Sequence, residues 1–455
     1  MPRRLAIPDA AEPLISSFGV AFSRPTFHRF LVLWIGAVLA GGRRTVTACL
    51  RAARSLAHGD ASSYHRFFSK ARWSLWPLGQ VLSAAVLELV PHGQAVIVVA
   101  DDTTAMHKGK CVYGKGRHHD ACRSTHTHMA WVWGHKWVVL AVLVKFPFAA
   151  RAWALPVLMA LYRPRELNEQ EGRRHKTPIE LARKLMATLM HGFPDRRFFL
   201  LGDGGYASHD LARFCSRHGR RLTLVSRLHP RANLYDPPPA RKAGTNGRPR
   251  LKGRKRAAPA DVVARTSQRR RTKASVAWYG DTQRRVQLVT GKAHWYMGGG
   301  GLVPIRWVFV HDLDGTHRDE YFYSTDTALT AEQIVSLYTG RWSIEVTFQE
   351  AKFHLGLETT RQRVEKSVTR AFPCLLGLFS VVSLVFAHHV GRRKATVDRA
   401  PWYQKTEPTF SDAMIRVRRL LWAQTVLKHL RGGHDFTKLS PKLQETILTH
   451  LSRAA

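Results

Sequence analysis

Acidic residues are what this chain most lacks. Its 455 residues hold 32 Asp plus Glu against 71 Lys plus Arg, a net charge of +39. A chain this unbalanced repels itself unless it meets a polyanion. Nucleic acid is therefore the first partner expected, and an anionic membrane surface the weaker alternative. Cysteine is scarce as well: Cys49, Cys111, Cys122, Cys215 and Cys374 are scattered, odd in number, and include no Cys-x-x-Cys. That argues against a disulfide framework or a zinc ribbon and fits a reducing cytosol. Long apolar runs are nearly missing. Phe30 to Ala40 is too short to span a bilayer and begins too far in for a signal peptide. Ala371 to Ala387 is almost long enough, but it holds Pro373, Gly377, Ser380 and Ser383, and a buried core helix is expected there. The length suits two or three domains with a real core.

One stretch, Tyr338 to Lys352, carries more chemistry than any other. It is expected to lie in the middle of a single long helix. Thr330 is its N-cap, with Gln333 completing a capping box. Gly356 ends it in a left-handed conformation, and Gly340 weakens it internally, marking a bend. At about 100° per residue, Tyr338, Arg341, Glu345 and Lys352 fall within roughly 60° of one another. Leu337, Ile344, Phe348 and Leu355 form a separate apolar stripe. The polar stripe has the chemistry of a phosphate site with a metal in it: Glu345 for a divalent cation, Arg341 and Lys352 for phosphate oxygens, Tyr338 for one more hydrogen bond. From spacing alone a solvated face of spaced opposite charges is the commoner reading.

The pattern Tyr-x2-Arg-x3-Glu-x6-Lys, at Tyr338, Arg341, Glu345 and Lys352, resembles the signature of one branch of the DDE transposases of bacterial insertion sequences. The flanking Arg-Trp-Ser-Ile-Glu and Lys-Phe-His-Leu-Gly-Leu-Glu are similar too. The resemblance requires two further acidic residues upstream, each at the end of a strand.

Residues 1–92 are expected to form an N-terminal helical DNA-binding domain, with a second or third short basic helix able to enter a groove. An ordinary helical bundle with solvated basic faces is the alternative. Residues 94–100 form a β-branched run, expected as a central buried strand, that ends in Asp101-Asp102-Thr103-Thr104. Adjacent strand residues point to opposite faces, so only one aspartate can share a site with Glu345. In the family the catalytic aspartate precedes a small hydroxyl or glycine residue, which favours Asp102. Residues 105–124 are expected as a basic loop. Its Cys111, His118, His119, Cys122, His126 and His128 match no standard zinc spacing. Met129 to Trp133 and Trp137 to Val144, separated by Gly134-His135, are expected as a hairpin, which makes the first three strands an antiparallel meander.

Thr177, Pro178 and Glu180 open a helix. Arg197 to Gly202 is a strand ending in Asp203, followed by glycines, a helix from Ala207 to His218 and a strand from Arg221 to Ser226. Strand-Asp-Gly-x-Tyr-helix resembles the second acidic motif of the same transposases, which gives that role to Asp203. Between Arg241 and Lys273 stand 13 Lys or Arg and one acid, Asp261, a segment expected to stay flexible until it meets phosphate. Residues 276–324 look β-rich. Relatives carry a β insertion at this point, and in some an aromatic from it stacks on a flipped base; Trp278, Trp295 and Trp307 are the candidates, with a core role the commoner fate of such residues. The amphipathic, basic segment from Thr409 to Trp422 belongs to the C-terminal helices.

Pattern alone supports mixed α/β. The resemblance implies an RNase H-like catalytic core, residues 93–228 and 325–395, with a basic linker and β-rich insertion at 229–324 and a C-terminal helical region at 396–455. It also implies two Mg²⁺ ions, replaceable by Mn²⁺, held by Asp102, Asp203 and Glu345, with Tyr338, Arg341 and Lys352 binding DNA. The implied activity is cleavage of transposon ends and their joining to target DNA, by a cytoplasmic, nucleoid-associated bacterial protein that dimerises to synapse two terminal inverted repeats and has no membrane partner. An RNase H-like nuclease or resolvase, and a non-catalytic DNA-binding regulator, are the rival readings.

Overall fold

A computed structural model describes residues 7–120, 123–125, 127–240, 247–391, 397, 404–427 and 436–453. The chain builds around a mixed sheet of eleven strands. They are β1 (Val96–Met106), β2 (Gly116–His119), β3 (Trp131–Val144), β4 (Trp153–Tyr162), β5 (Phe198–Gly202), β6 (Leu222–Arg227), β7 (Leu234–Tyr235), β8 (Thr272–Trp278), β9 (Thr282–Met297), β10 (Gly301–Asp312) and β11 (Glu320–Ser324). One half of the sheet runs β4-β3-β1-β5-β6. Here β3 is antiparallel to both β1 and β4, and β1, β5 and β6 are mutually parallel. This strand order is that of an RNase H-like core. Val98, Val99 and Ala100 are completely buried, as a central strand covered on both faces requires.

The meander is present, but its turn lies elsewhere than expected. Gly134-His135 is no hairpin: β3 runs straight through it, and the reversal falls between β3 and β4. Gly134 is needed because a Cβ there would come within 2.1 Å of the Ala105 carbonyl oxygen on the neighbouring strand. Residues 105–124 are also more regular than a loop, since β1 continues to Met106 and β2 pairs with the start of β3. The insertion continues the core sheet: β11 bonds to β6 on one side and to β10 on the other. Part of the basic segment is folded as well. Lys255 bridges to Tyr235, Arg256 pairs with Asp236, and Pro259–Arg265 is a short helix with Val263 buried; residues 241–246 lie outside the described residues.

The N-terminal helices are α1 (Glu12–Ser17), α2 (Arg24–Leu39), α3 (Val46–Ala53), α4 (Ala61–Ser69) and α5 (Leu75–Leu87). They share one continuous core with the sheet. Val32, Ile35 and Val38 of α2 are fully buried, so α2 is structural, while α4 keeps His65 and Arg66 exposed, with Lys70 exposed at its C-cap. In the sheet half, α6 (Arg165–Gln170), α7 (Pro178–Gly192), α8 (His209–Arg217) and α9 (Pro259–Arg265) follow. Helix α7 opens with the capping box of Thr177 and Glu180.

On the opposite face stand α10 (Ala331–Gly340), α11 (Ser343–Leu355) and α12 (Glu365–Val390), followed by α13 (Phe410–Leu421) and α14 (Pro441–Arg453). Helix α12 begins before Pro373. It is long and apolar enough to cross a membrane, yet it packs against β4, α4, α5 and α13 with most of its apolar residues buried. Arg44 ties the head to α11: its guanidinium donates to Ala37 O, Gly42 O and His354 O at 2.7–2.8 Å, satisfying a carbonyl in the last turn of α11.

Candidate active site

The signature stretch folds as two helices. Thr330 and Gln333 form the expected capping box on α10, and Gly356 ends α11 with φ +56°. Between them the chain tightens: Arg341 N and Trp342 N bond three residues back, to Tyr338 O and Thr339 O, each at 3.2 Å. Tighter winding advances more than 100° per residue, so the four signature residues no longer share one stripe.

Tyr338 turns inward. It is 1% exposed and its ring stacks on Phe322 at 4.2 Å between centroids. Burial holds its phenol above the ordinary range. Arg341 points at the sheet. Its Nη1 lies 3.0 Å from Asp101 Oδ2 and its Nη2 3.0 Å from Glu345 Oε1, so one guanidinium bridges a strand and a helix. Lys352 pairs with Glu358 at 3.6 Å, and Glu358 also accepts from Met106 N, the last residue of β1. Glu358 thus links Lys352 to the end of β1, five residues beyond Asp101.

Strand alternation decides between the two aspartates. Asp101 shares the α10–α11 face; Asp102 points to the other, where Lys136 Nζ meets its Oδ1 at 3.1 Å. The aspartate that shares a guanidinium with Glu345 is therefore Asp101 and not Asp102. The small hydroxyl that follows Asp102 carries no information about which face a side chain takes.

Asp203 follows β5 as expected. Its Oδ1 accepts from Gly205 N at 2.9 Å and Tyr206 N at 3.3 Å, which aims it at the turn, and Ser226 Oγ donates to its carbonyl. It is close enough to Asp101 and Arg341 to act on both. Burial, with Asp203 and Asp102 nearby, pushes the Asp101 carboxyl up against the pull of Arg341. Burial, the largest single effect, disfavours the Arg341 charge in turn, but Asp101, Tyr338, Glu345 and Asp203 together outweigh it and hold the guanidinium protonated.

These carboxylates are hard oxygen donors of the kind divalent cations take. Their mutual repulsion is what a cation relieves, and Arg341 already plays that part between two of them. The donor set fits a divalent ion in kind. Among the described residues no three such side chains converge as an ion cage while the guanidinium lies between them.

Arg227 escaped the sequence reading. It ends β6, pairs with Glu320 and lies 5.7 Å from the Tyr338 ring. Its only sequence signal is a basic residue ending the strand next to that of Asp203. Trp278 and Trp307 are 5% and 4% exposed, and Trp295 packs between His209 and Tyr323. Trp278 and Trp307 are core rings, whereas Trp295 is half-buried and held by edge-on contacts. The zinc constellation does not assemble among the described residues; Cys122 and His126 lie outside them. His118 and His135 are pushed down to about 4 by burial and stay neutral.

Residues 17–285 match the family described as DDE superfamily endonuclease, and residues 296–390 match one described as an archaeal transposase of the ISC1217 type. No curated protein matches. Among solved structures, a cryo-EM piggyBac transposase synaptic complex with hairpin DNA is similar at a TM-score of 0.40 and 9% identity, over 97% of this chain and 81% of that one.

Proposed function

Because the chain belongs to the DDE superfamily endonucleases, a family that implies a divalent metal, we propose that it is the transposase of a bacterial insertion sequence, of the branch with the Tyr-Arg-Glu-Lys signature. It cuts the ends of its element and joins them to target DNA. The observation that carries this reading is the meeting of Asp101 and Glu345, from distant parts of the chain, on one guanidinium beside Asp203.

In this reading Asp101, Asp203 and Glu345 hold two Mg²⁺ ions, with Mn²⁺ able to replace them. Bound there, the ions supply charge for the leaving oxygen and a nucleophile at neutral pH. Arg341 presents a planar fork that matches phosphate oxygens as well as carboxylates, so it orients the scissile phosphodiester by exchanging one for the other. Lys352 grips the backbone farther along β1. Tyr338 fixes the floor on which Arg341 rests. The exposed basic residues of α4 and the segment around residues 247–273 bind flanking duplex, and two copies bring two inverted repeats together.

The test is a plasmid carrying a marker between the terminal repeats that flank the gene, incubated with purified protein and Mg²⁺. Excision with joined products supports the reading. Cleavage without joining points to a nuclease or resolvase, and binding without cleavage to a regulator.

A further inference from the structure

Beyond the catalytic centre, the β2–β3 ribbon has two unlike faces. His118, Val132 and Gly134 point inward and are buried, whereas Arg117, His119, Trp131 and Trp133 point outward. Trp131 is 45% exposed and Trp133 61%. Large exposed indoles cost solubility, and here they are paired with cations. The Arg117 guanidinium lies 4.4 Å over the Trp131 ring, His119 meets that ring edge-on at 5.9 Å, and Lys115 Nζ is 5.7 Å from the Trp133 ring centre. Lys108 and Lys110 are exposed close by in sequence.

We propose that this ribbon is a stacking platform for unpaired DNA bases. The argument is one of complementary chemistry. A flat aromatic face flanked by cations offers a base its π-surface and the adjoining backbone its charge, the combination that single-strand binding requires. A duplex keeps its base faces stacked inside and has nothing to lay on an indole. A protein partner would seek an apolar patch without this density of positive charge. The ribbon also shares a sheet face with the carboxylates. Trp131 and Trp133 have the strand parity of Trp137, the partner of Thr103, so they lie on the sheet face of Asp101. Along that face the order is Asp101 with Arg341, then Lys352, then the ribbon. Between the carboxylates and the ribbon, Thr103, Ala105, His135 and Trp137 are buried and Phe372 of α12 stacks on Trp137, so the indoles are where this face opens to solvent again. Unlike Trp278, Trp295 and Trp307, these rings lie outside the insertion and are open to solvent.

The inference rests on the proposed function only for which DNA supplies the strand. The test uses the full-length protein and fluorescence anisotropy with three labelled probes: oligo-deoxythymidine, a strand of the same length made of abasic sites, and a duplex. In Trp131→Ala/Trp133→Ala, affinity for oligo-deoxythymidine should fall about 10-fold or more, the effect of losing one stacked base. Affinity for the duplex and the abasic strand should change less than about 2-fold on the same scale. Trp133→Phe, which keeps an aromatic face, should retain most of the binding. Unchanged affinity for oligo-deoxythymidine in the double variant overturns the platform and leaves the transposase reading intact. An equal loss on all three probes also overturns it, as an effect of charge or folding. Wild-type protein that binds none of the probes overturns both.

Discussion

Asp101 and Asp102 are neighbours in the chain with opposite partners: the first meets Arg341 at 3.0 Å, the second Lys136 at 3.1 Å on the other face of the sheet. Substituting each in turn separates the roles. Asp101→Asn should lower single-turnover cleavage of an end-containing duplex by about 100-fold or more, because several kcal/mol of charge stabilisation goes with the carboxylate. Asp102→Asn should stay within about 10-fold of wild type, or 1.4 kcal/mol. The reverse ranking would return the role to Asp102.

Arg341 should matter for stability as well as rate. Its side chain is 9% exposed and Asp101's 14%, so Arg341→Ala strands a buried carboxylate. Breaking a pair of this kind costs about 3–5 kcal/mol. Urea unfolding in EDTA should show that loss, and Mg²⁺ should restore part of it by neutralising the same carboxylates. Arg341→Lys reaches one carboxylate and not two, and should recover only a fraction. An unchanged unfolding midpoint would remove the bridge from the account.

Tyr338 belongs to the signature, yet the structure gives its ring a packing role. Among the described residues its buried hydroxyl meets no well-formed partner, and the Arg227 guanidinium is the group that acts on it. Tyr338→Phe should therefore leave stability within about 1 kcal/mol and cleavage nearly unchanged, whereas Tyr338→Ala should cost about 3–5 kcal/mol. A large rate defect in Tyr338→Phe would show that the phenol touches substrate.

Asp312 offers a pH-dependent test away from the site. Its buried carboxylate accepts from Asp314 N, Thr316 N and His317 N at 3.0–3.1 Å and from Arg284 at 2.6 Å. Burial pushes its pKa up, but these bonds prevail and lower it from 3.8 to about 2. A lowered folded-state value means stability that is full above the unfolded value and lost as pH falls through the folded one. The contribution is about 2 kcal/mol at neutral pH. Asp312→Asn should be less stable by that amount at pH 7, and the gap should close between pH 3.8 and about 2. A gap that persists at the acid end would contradict the linkage.

What could be read from sequence was local. Thr177 with Glu180 and Thr330 with Gln333 form their capping boxes as expected, since the partners are three residues apart. Asp203 stands at its strand end because apolar run, aspartate and glycines are contiguous. What could not be read depended on distant partners. Gly134 looks like a turn until the backbone of Ala105 arrives across the sheet. The face taken by Asp101 is set by which helix covers β1. The tight turn at Arg341 and Trp342, which breaks the expected stripe, has only Gly340 as its sequence signal. The basic segment is half-ordered because Asp236 and Tyr235 give it partners that its own composition does not disclose.

The union of β6 with β11 bears on how the molecule can be divided. Strand β6 has β5 on one side, and its other side is closed by a segment that returns almost a hundred residues later, at Tyr323 opposite Ser226. A fragment ending at residue 228 would leave that side of β6 as a row of bare amides and carbonyls in a flat apolar strand. Such an edge templates further strands. That half of the sheet would thus be expected to stick to its own copies when cut from the insertion, and the late-synthesised strand serves as its built-in protection against aggregation.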